Sequence, residues 1–251
     1  MPSVESDVQF ARALATEIGD ALLAVRDELF ARYQGQEIKD RGDALAQAII
    51  DRQMRARRPL DAVLSEEAVD DLARLTADRV WIVDPLDGTR EFARQGRIDW
   101  GVHIALWDAN QGALTAAAVA LPAQGVLFAT DDQVNRAPQS SQVVRVVASQ
   151  SRTPEILQAV GEAMPIEIVL WGSAGAKAAR VITGDVDAYI HDSELNEWDS
   201  AAPIAVALAN GLHVSRLDGS AFTFNQRVPV TGGILMCRPE LADALLAAVN
   251  S

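Results

Sequence analysis

The sequence has only one cysteine among its 251 residues, so an internal disulfide bond is excluded. Cys237 lies in the apolar run 234–237, which favours a small core residue over a catalytic thiol. No run approaches the ~18 consecutive apolar residues of a membrane span. The N-terminus also lacks the basic, apolar and small-residue order of a signal peptide. These absences predict a cytoplasmic protein without a membrane-spanning segment.

Basic residues are also scarce. The chain has 22 Lys and Arg against 35 Asp and Glu, a formal net charge of −13. Such an acidic chain argues against binding to nucleic acid or to an anionic membrane. It also opposes binding of a phosphorylated substrate, unless bound divalent cations invert the local potential. A merely solvated acidic surface that keeps the protein in solution accounts for most of the charge in either case.

The remaining composition is that of a globular protein, with 49% hydrophobic residues and enough length for one large or two small domains. Apolar residues at three- and four-residue intervals predict a first helix over 4–30. Further helices are predicted over 43–58, 153–164, 174–183, 200–210 and 239–249, and strands over 61–64, 79–83, 100–107, 113–121, 125–130, 143–148, 166–171, 186–191 and 232–237. Residues 131–142 are the predicted linker. This alternation indicates an α/β or α+β protein.

The most informative segment is 80–92, where a strand-like apolar run ends in the letters D-P-L-D-G-T at residues 84–89. Pro85 biases Asp84 towards an extended backbone, and Gly88 permits a tight turn. The turn thus presents two carboxylates for a hard cation beside backbone N–H groups suited to a phosphate. An ordinary Asx-type turn is the alternative, because Asp, Pro and Gly are common turn residues.

Two distant segments favour the functional interpretation. Residues 63–67 (V-L-S-E-E) form a short apolar run that ends in adjacent carboxylates, and residues 197–202 (E-W-D-S-A-A) place Asp199 at the start of an Ala-rich helix. With the D-P-L-D-G-T turn they resemble, in order, the three signatures of the inositol monophosphatase superfamily, the lithium-sensitive, magnesium-dependent phosphatases of sugars and nucleotides. The resemblance extends from about residue 39 to about residue 236.

The resemblance implies the layered αβαβα sandwich of the sugar phosphatase fold. It divides the chain into an N-terminal half, residues 1–140, with the glutamate pair 66–67 and the 84–89 turn, and a C-terminal half, residues 141–251, with Asp199 and a turn on the substrate side. The two halves would share one active site. Members of this family often form homodimers, so a homodimer is expected here too.

A site for two or three Mg²⁺ ions is also implied by the resemblance. Glu66, Asp84 and the backbone carbonyl of Leu86 would hold the first ion. Asp84, Asp87 and Asp199 would hold the second. Magnesium prefers oxygen ligands and keeps several waters, which suits a site of few carboxylates. Two such ions can activate a water and stabilise the leaving oxygen of an in-line displacement.

The implied catalytic residues are Glu67, Thr89 and Asp43, which would orient or deprotonate the attacking water. A carboxylate that only tunes the metals is the alternative role for Glu67. The family usually has a threonine and a small residue just before this Asp, whereas residues 39–42 here read K-D-R-G. This departure concerns the loop expected around Asp43. Five carboxylates converging without cations would repel one another and raise some of their pKa values.

The resemblance assigns the scissile phosphate to Gly88, Thr89 and Arg90, with Asp199 beside it. The letters D-G-T-R-E-F at residues 87–92 resemble the nucleotidase branch of the family. The nearest likeness within that branch is the CysQ type of 3'(2'),5'-bisphosphate nucleotidase, especially its actinobacterial form. The substrate would then be a small nucleotide.

A second phosphate of that nucleotide would bind at residues 172–177. Their letters, G-S-A-G-A-K, resemble the polar turn of the nucleotidase branch that enters a helix, with Ser173 and Lys177 as the phosphate contacts. The chain has only two lysines, Lys39 and Lys177. The presence of a lysine in so arginine-rich a chain favours a functional role for Lys177. Burial of its aliphatic stem explains the choice of lysine equally well.

Other residues near the motifs favour structural roles. Trp81 and Trp198 flank the implied ligands and are expected to pack the site. Pro203 replaces the glycine that usually follows W-D-x-A-A, which places it in or just before the first turn of the helix after Asp199. The three histidines, at positions 103, 191 and 213, are expected to be structural. Position 191 is the one most worth testing for contact with a nucleoside.

Three functions remain open. The first is a magnesium-dependent phosphatase that converts adenosine 3',5'-bisphosphate to AMP, and in addition 3'-phosphoadenylyl sulfate to adenylyl sulfate, as sulfur assimilation requires. The second is an inositol 1-phosphate or fructose 1,6-bisphosphate phosphatase on the same scaffold. The third is a regulator that binds phosphate or metal without catalysis. The presence of all implied ligands argues against the third.

Overall fold

The computed structural model describes residues 5–138, 141–151 and 153–251. Within them the chain forms two five-stranded sheets. The predicted domain boundary at residue 140 and the predicted start of the first helix at residue 4 lie outside the described residues.

The first sheet has the strand order β1-β2-β3-β4-β5. Strands β1 and β2 are parallel, and the other neighbours are antiparallel. The strands are β1 (Ala62–Ser65), β2 (Arg79–Asp87), β3 (Gly101–Asp108), β4 (Ala113–Leu121) and β5 (Val126–Ala129). Two long helices cover one face, α1 (Asp7–Arg32) and α2 (Gln36–Arg57). A short helix, α3 (Thr89–Phe92), follows β2 directly.

The second sheet has the order β7-β6-β8-β10-β9 and mixes parallel with antiparallel pairs. Its strands are β6 (Val144–Ser149), β7 (Ile166–Trp171), β8 (Ala188–His191), β9 (His213–Ser215) and β10 (Ile234–Cys237). Its helices are α4 (Leu157–Ala163), α5 (Ala174–Thr183), α6 (Glu197–Ala209) and α7 (Ala242–Val249).

Three buried clusters stack these elements into layers. The first joins α1 and α2 to one face of the first sheet, and the third joins α4 and α7 to the outer face of the second. The middle cluster contains residues of both sheets and of α5 and α6. The order helix, sheet, helix, sheet, helix confirms the predicted αβαβα sandwich. Because α6 lies between the sheets, its N-terminus lies close to residues from both.

The first helix has the sequence features that its position requires. Ser6 accepts a hydrogen bond from the N–H of Gln9, whose side chain accepts one from the Ser6 N–H. This capping box satisfies two N–H groups that the helix would otherwise leave free. Phe10, Leu14 and Ile18 are fully buried against the sheet, as the apolar spacing predicts.

The second helix begins at Gln36, seven residues before the predicted start at Asp43. Asp43 therefore lies inside a helix and not on a loop, which corrects the expectation for its surroundings. Gly42 allows the helix to pass close to the turn after β2, since a Cβ there would lie 2.8 Å from Phe92 and 2.9 Å from Leu86. The helix begins after Gly35 without a side-chain hydrogen bond at its N-cap.

Two further boundaries differ from the prediction. Strand β2 continues to Asp87, because it pairs with β3 beyond Asp84 with a shift of register. Helix α6 begins at Glu197, so Pro203 lies inside the helix in its second turn, and its predicted place in the first turn is wrong. Proline has no N–H and crowds the carbonyl four residues earlier, which here belongs to Asp199. The other boundaries agree within four residues.

Cys237 is fully buried in β10, which confirms the predicted core position. Burial raises the pKa of its thiol to about 12, which argues against a reactive thiolate at neutral pH. Among the described residues, no helix has the length and apolar character that crossing a membrane requires.

Candidate active site

The site begins where β2 ends. Asp84 is buried at 1% exposure, and its Oδ1 accepts the N–H of Leu86 at 3.0 Å. The register shift between Asp84 and Asp87 leaves Pro85 and Leu86 out of the regular pairing with β3. In a regular strand, successive side chains alternate between the two faces of the sheet. Such an irregularity changes the direction of the side chains next to it.

Gly88 makes the turn possible. Its φ of +82° lies in the left-handed region, which favours glycine. A Cβ there would also lie 2.8 Å from the Cβ of Ser173, at the start of α5. The turn therefore needs glycine for its backbone and for close contact with the N-cap residue of α5.

Asp84, Asp87 and Asp199 form an acidic cluster, with one carboxylate oxygen of each within 4.8 Å of the others. Asp199 comes from the first turn of α6, where its Oδ2 accepts the Asn196 N–H at 2.9 Å. The capping box of that helix thus orients the third carboxylate towards the other two. Residues more than a hundred positions apart meet because α6 lies between the sheets.

Burial and mutual repulsion raise the pKa values of two members of this acidic cluster, Asp84 and Asp199, and of Glu66 beside them. The pKa of Asp84 is raised well above its usual value by burial, then by Asp87 and Glu66. Burial and Asp87 raise that of Asp199 to about 6. Partial burial, Asp199 and Glu67 raise that of Glu66 to about 7, although Glu66 is an exposed residue. Oxygen ligands that repel one another fit a divalent cation, which would stabilise their charged forms.

Asp87 behaves differently from its neighbours. Burial acts to raise its pKa, but His103 and the N–H groups of α5 outweigh burial and lower it to about 2. Its two oxygens accept the N–H groups of Ala174 at 3.1 Å and Gly175 at 2.7 Å. Asp87 therefore joins the first sheet to the N-terminus of α5 while it faces the acidic cluster.

His103 belongs to this site, although sequence reasoning assigned it only a structural role in a strand. It is fully buried in β3, opposite Asp84 in the register, and its Nε2 lies 3.0 Å from Asp87 Oδ2. Its Nδ1 lies 3.3 Å from the Trp198 carbonyl. The structural role expected for His103 thus includes supporting a carboxylate of the acidic cluster. No sequence signal identifies this contact, because it depends on the pairing of β2 with β3.

The three implied catalytic residues lie on different elements. Asp43 lies on α2, and burial with the nearby Glu67 and Glu66 raises its pKa to about 7. The Glu67 side chain is exposed, and its N–H donates to Ser65 Oγ at 3.3 Å. Thr89 Oγ1 donates to the Leu86 carbonyl at 3.3 Å, which is the carbonyl proposed from the sequence as a metal ligand.

Most backbone N–H groups of the 172–177 turn are already hydrogen-bonded within the protein. The Gly172 N–H donates to Asp99 Oδ2 at 2.6 Å, and the N–H groups at 174 and 175 donate to Asp87. The N–H at 176 donates to Ser173 Oγ at 3.0 Å. Lys177 is buried, and its Nζ donates to the carbonyls of 172 and 173 at 2.6 and 2.8 Å. Side chains are therefore left as the groups that this turn offers to a ligand.

A cavity of about 340 Å³ opens between the acidic cluster and this turn. All the residues expected to contact substrate line it: Gly88, Thr89, Arg90, Ser173, Lys177 and Asp199. Glu91, Tyr189 and His191 complete part of the wall. Burial lowers the pKa of the Lys177 ammonium to about 8, although the negative charges of Asp87, Glu91 and Asp199 act to raise it.

An αβαβα sandwich with an acidic cluster at the meeting of its two sheets defines a phosphatase of the sugar phosphatase fold. A profile described as the inositol monophosphatase family matches residues 3–251, so the chain belongs to that family. This confirms the predicted family, fold and enzyme class, a phosphoric monoester hydrolase.

Several known proteins are similar over nearly the whole chain. A Mycobacterium leprae protein named 3'-phosphoadenosine 5'-phosphate phosphatase is 47% identical over 98% of this chain and 94% of its own. A Salmonella typhimurium protein named 3'(2'),5'-bisphosphate nucleotidase CysQ is 31% identical over 85% and 92%. The crystal structure of Staphylococcus aureus inositol monophosphatase II is similar with a TM-score of 0.78 and 20% identity, over 95% of this chain and 91% of that one.

Proposed function

We propose that this protein hydrolyses the 3'-phosphate of adenosine 3',5'-bisphosphate and releases AMP. The observation that carries the proposal is the 47% sequence identity, over 98% of this chain, to a relative named for this substrate. The acidic cluster beside a cavity of about 340 Å³ supports it. Inositol 1-phosphate and fructose 1,6-bisphosphate are the less favoured substrates. A purely binding role fits poorly with a complete set of carboxylates.

The proposed cofactor is Mg²⁺, two or three ions per site. Glu66, Asp84 and the Leu86 carbonyl would hold one ion, and Asp84, Asp87 and Asp199 another. Metal ions held in this way would supply an activated water and charge stabilisation of the leaving oxygen. The raised pKa values of Asp84, Asp199 and Glu66 support the assignment, because cations would remove the repulsion that raises them.

The proton of the attacking water would pass to residues on the α2 side of the site. We assign the general base to Asp43, because burial, which does not depend on bound cations, is the main cause that raises its pKa towards neutrality. Glu67 adjoins it, and the Thr89 hydroxyl would orient the water between them. Thr89 Oγ1 now donates to the Leu86 carbonyl, so that hydrogen bond would be shared or exchanged when the water binds.

The phosphates would be bound by two groups of residues. We assign the scissile 3'-phosphate to Gly88, Thr89 and Arg90, beside Asp199. The 5'-phosphate would be bound by Ser173 and Lys177 through their side chains. An ammonium has three N–H donors, and Lys177 uses two of them on carbonyls, so one remains for a phosphate in the cavity.

The division of the chain into halves 1–140 and 141–251 with a shared active site is part of the proposal. The hydrogen bonds from the 172–175 turn to Asp87 and Asp99 support it, because they join residues of the N-terminal half to residues of the C-terminal half. We also propose a cytoplasmic homodimer that is inhibited by lithium and serves sulfur assimilation, with 3'-phosphoadenylyl sulfate as a second substrate.

Substrate comparison tests the proposal. Because a site that binds a second phosphate loses several kcal/mol when that phosphate is missing, kcat/KM for adenosine 3',5'-bisphosphate should exceed that for 3'-AMP and inositol 1-phosphate by roughly 10²-fold or more. Phosphate release is measured for each substrate with and without Mg²⁺. Equal efficiency on inositol 1-phosphate would move the assignment to that substrate, and no release from any of them would favour a binding protein.

A further inference from the structure

A buried polar network lies beside the acidic cluster and has no part in the chemistry proposed above. Its centre is Arg74, which is 2% exposed and lies in a one-turn 3₁₀ helix a few residues after Glu66 and Glu67. The guanidinium donates to Asp70 at 2.8–3.1 Å, to Asn225 Oδ1 at 2.6 Å and to the Gln226 carbonyl at 2.9 Å. Arg74 thus joins the loop after β1 to a segment between β9 and β10.

The backbone conformation and the side chain of Asn225 both suit its contact with Arg74. Its φ of +59° lies in the left-handed region, which asparagine adopts more readily than most residues with a side chain. Its Oδ1 accepts from the Arg74 guanidinium, while its Nδ2 donates to the Arg74 carbonyl at 3.3 Å. One side chain therefore holds both the backbone and the charged end of Arg74.

Glu197 extends the network to α6. It is fully buried, and its carboxylate accepts the N–H groups of Asn225 at 2.7 Å and Gln226 at 2.8 Å. Its own N–H donates to the Pro229 carbonyl at 2.9 Å. Glu197 is the first residue of α6, two positions before Asp199. A continuous chain of buried hydrogen bonds therefore runs from the loop that follows Glu66 to the helix that carries Asp199.

We propose that Arg74 and Asn225 are positioning residues for the metal site, which hold the Glu66–Glu67 loop in place relative to Asp199. The inference rests on the proposed function in one respect, the assumption that Glu66 and Asp199 bind cations. These two carboxylates repel each other when no cation is bound, so another link must keep them together. The planar guanidinium supplies it, because its donors point in set directions and cannot follow a shifted loop without losing partners.

The second half of the chain offers a matched control. Arg238 is also buried, and it donates to Asp187 Oδ1 at 2.8 Å and to the Ala137 carbonyl at 2.9 Å. Neither partner belongs to the acidic cluster or lines the cavity. Replacement of Arg238 should therefore cost stability without affecting metal binding.

The experiment compares Arg74→Lys, Asn225→Gly and Arg238→Lys with the wild type. Mg²⁺ binding is measured by calorimetric titration without substrate, and stability by thermal unfolding. We expect Arg74→Lys and Asn225→Gly to bind Mg²⁺ about 10–100-fold more weakly, as loss of partners behind metal ligands does elsewhere. In turnover, the Mg²⁺ concentration at half-maximal rate should rise while kcat at saturating Mg²⁺ stays close to wild type. Asn225→Gly keeps the left-handed backbone and guards against a failure to fold.

The control and the wild type give the outcomes that would overturn the inference. Arg238→Lys should unfold at a lower temperature with Mg²⁺ affinity unchanged. If Arg74→Lys and Asn225→Gly behave in the same way, the network is only structural and the inference is wrong. A wild type that binds Mg²⁺ but releases no phosphate would contradict the proposed function alone. A wild type that binds no Mg²⁺ would contradict both.

Discussion

Asp87 shows how one residue can serve both folding and chemistry. Its oxygens accept two N–H groups of α5 and contact His103, while it also belongs to the acidic cluster. Asp84 and Asp199 have fewer hydrogen bonds of this kind, and their pKa values are raised. Removing the charge of Asp87 should therefore lower both stability and activity. Removing the charge of Asp84 or of Asp199 should lower mainly activity.

Replacing each of the three aspartates by asparagine separates these roles. Because each variant loses charge that would hold the cations, phosphate release should fall by about 10²-fold or more. Only Asp87→Asn should also lower the thermal midpoint in the absence of metal, since it weakens the bonds to α5. Activity is measured at millimolar Mg²⁺. Near-wild-type turnover in Asp84→Asn would show that the assignment of two cations is wrong.

Lys177 is the residue on which substrate choice should depend. If its remaining N–H donor binds the 5'-phosphate, Lys177→Ala should reduce the preference for adenosine 3',5'-bisphosphate over 3'-AMP by about 10-fold or more. Hydrolysis of 3'-AMP should change little, because the Lys177 ammonium donates to the carbonyls of 172 and 173 and not to a proposed metal ligand. If kcat/KM fell equally for both substrates, Lys177 would instead serve to hold the 172–173 backbone in place through its hydrogen bonds to the two carbonyls.

At the scale of elements, the close approach of β3 to α5 decides the shape of the site. Gly175 lies so near His103 that a Cβ on it would overlap the imidazole. The same glycine donates its N–H to Asp87. The start of α5 is therefore held between a histidine and a carboxylate of the first sheet, and this close approach requires a residue without a side chain at position 175.

A double-variant experiment tests this contact. Gly175→Ala should destabilise the protein by ~1–3 kcal/mol, because the added methyl group has no space beside His103. Combining it with His103→Ser should recover part of that loss, since the smaller side chain leaves room. Thermal and urea unfolding measure the four proteins of the cycle. Additive losses in the double variant would contradict the proposed contact.

At the scale of the whole molecule, the two sheets join at a point of high negative charge. Glu66 and Asp84 of the first sheet and its loop approach Asp199 of α6, and Asp43 approaches from α2. Hydrophobic packing of α6 between the sheets places Asp199 beside Asp84 of the first sheet. The stability of the whole fold should therefore depend on pH and on metal.

Stability without metal should fall as pH rises from about 4 to about 7. The pKa values of Asp43 and Glu66 are raised to about 7, and that of Asp199 to about 6. The folded state thus holds these protons more tightly than the unfolded chain, and it loses that advantage as they dissociate. Thermal midpoints in a chelator should be lower at pH 8 than at pH 5.5, and Mg²⁺ should raise them more at pH 8. Glu66→Gln should weaken the pH dependence, and a flat wild-type profile would contradict the argument.

Local patterns in the chain were sufficient for much of this protein. The spacing of apolar residues predicted α1, and the alternation of elements predicted the fold class. The letters D-P-L-D-G-T predicted a turn with two carboxylates, because proline and glycine restrict the backbone over a few neighbouring residues. Similarity of three motifs to a known family predicted which distant carboxylates would meet.

Only the tertiary structure decided how these segments are supported. Helix α2 passes close to Phe92 at Gly42, and His103 contacts Asp87 because β3 pairs with β2. Arg74 and Asn225 are 151 residues apart in the chain, yet they share a buried hydrogen bond. Such contacts depend on the pairing of strands and the stacking of layers, which put groups side by side that no local pattern relates. Sequence therefore determined the chemical groups and the turns that carry them, and packing decided their distances, their pKa values and their supporting residues.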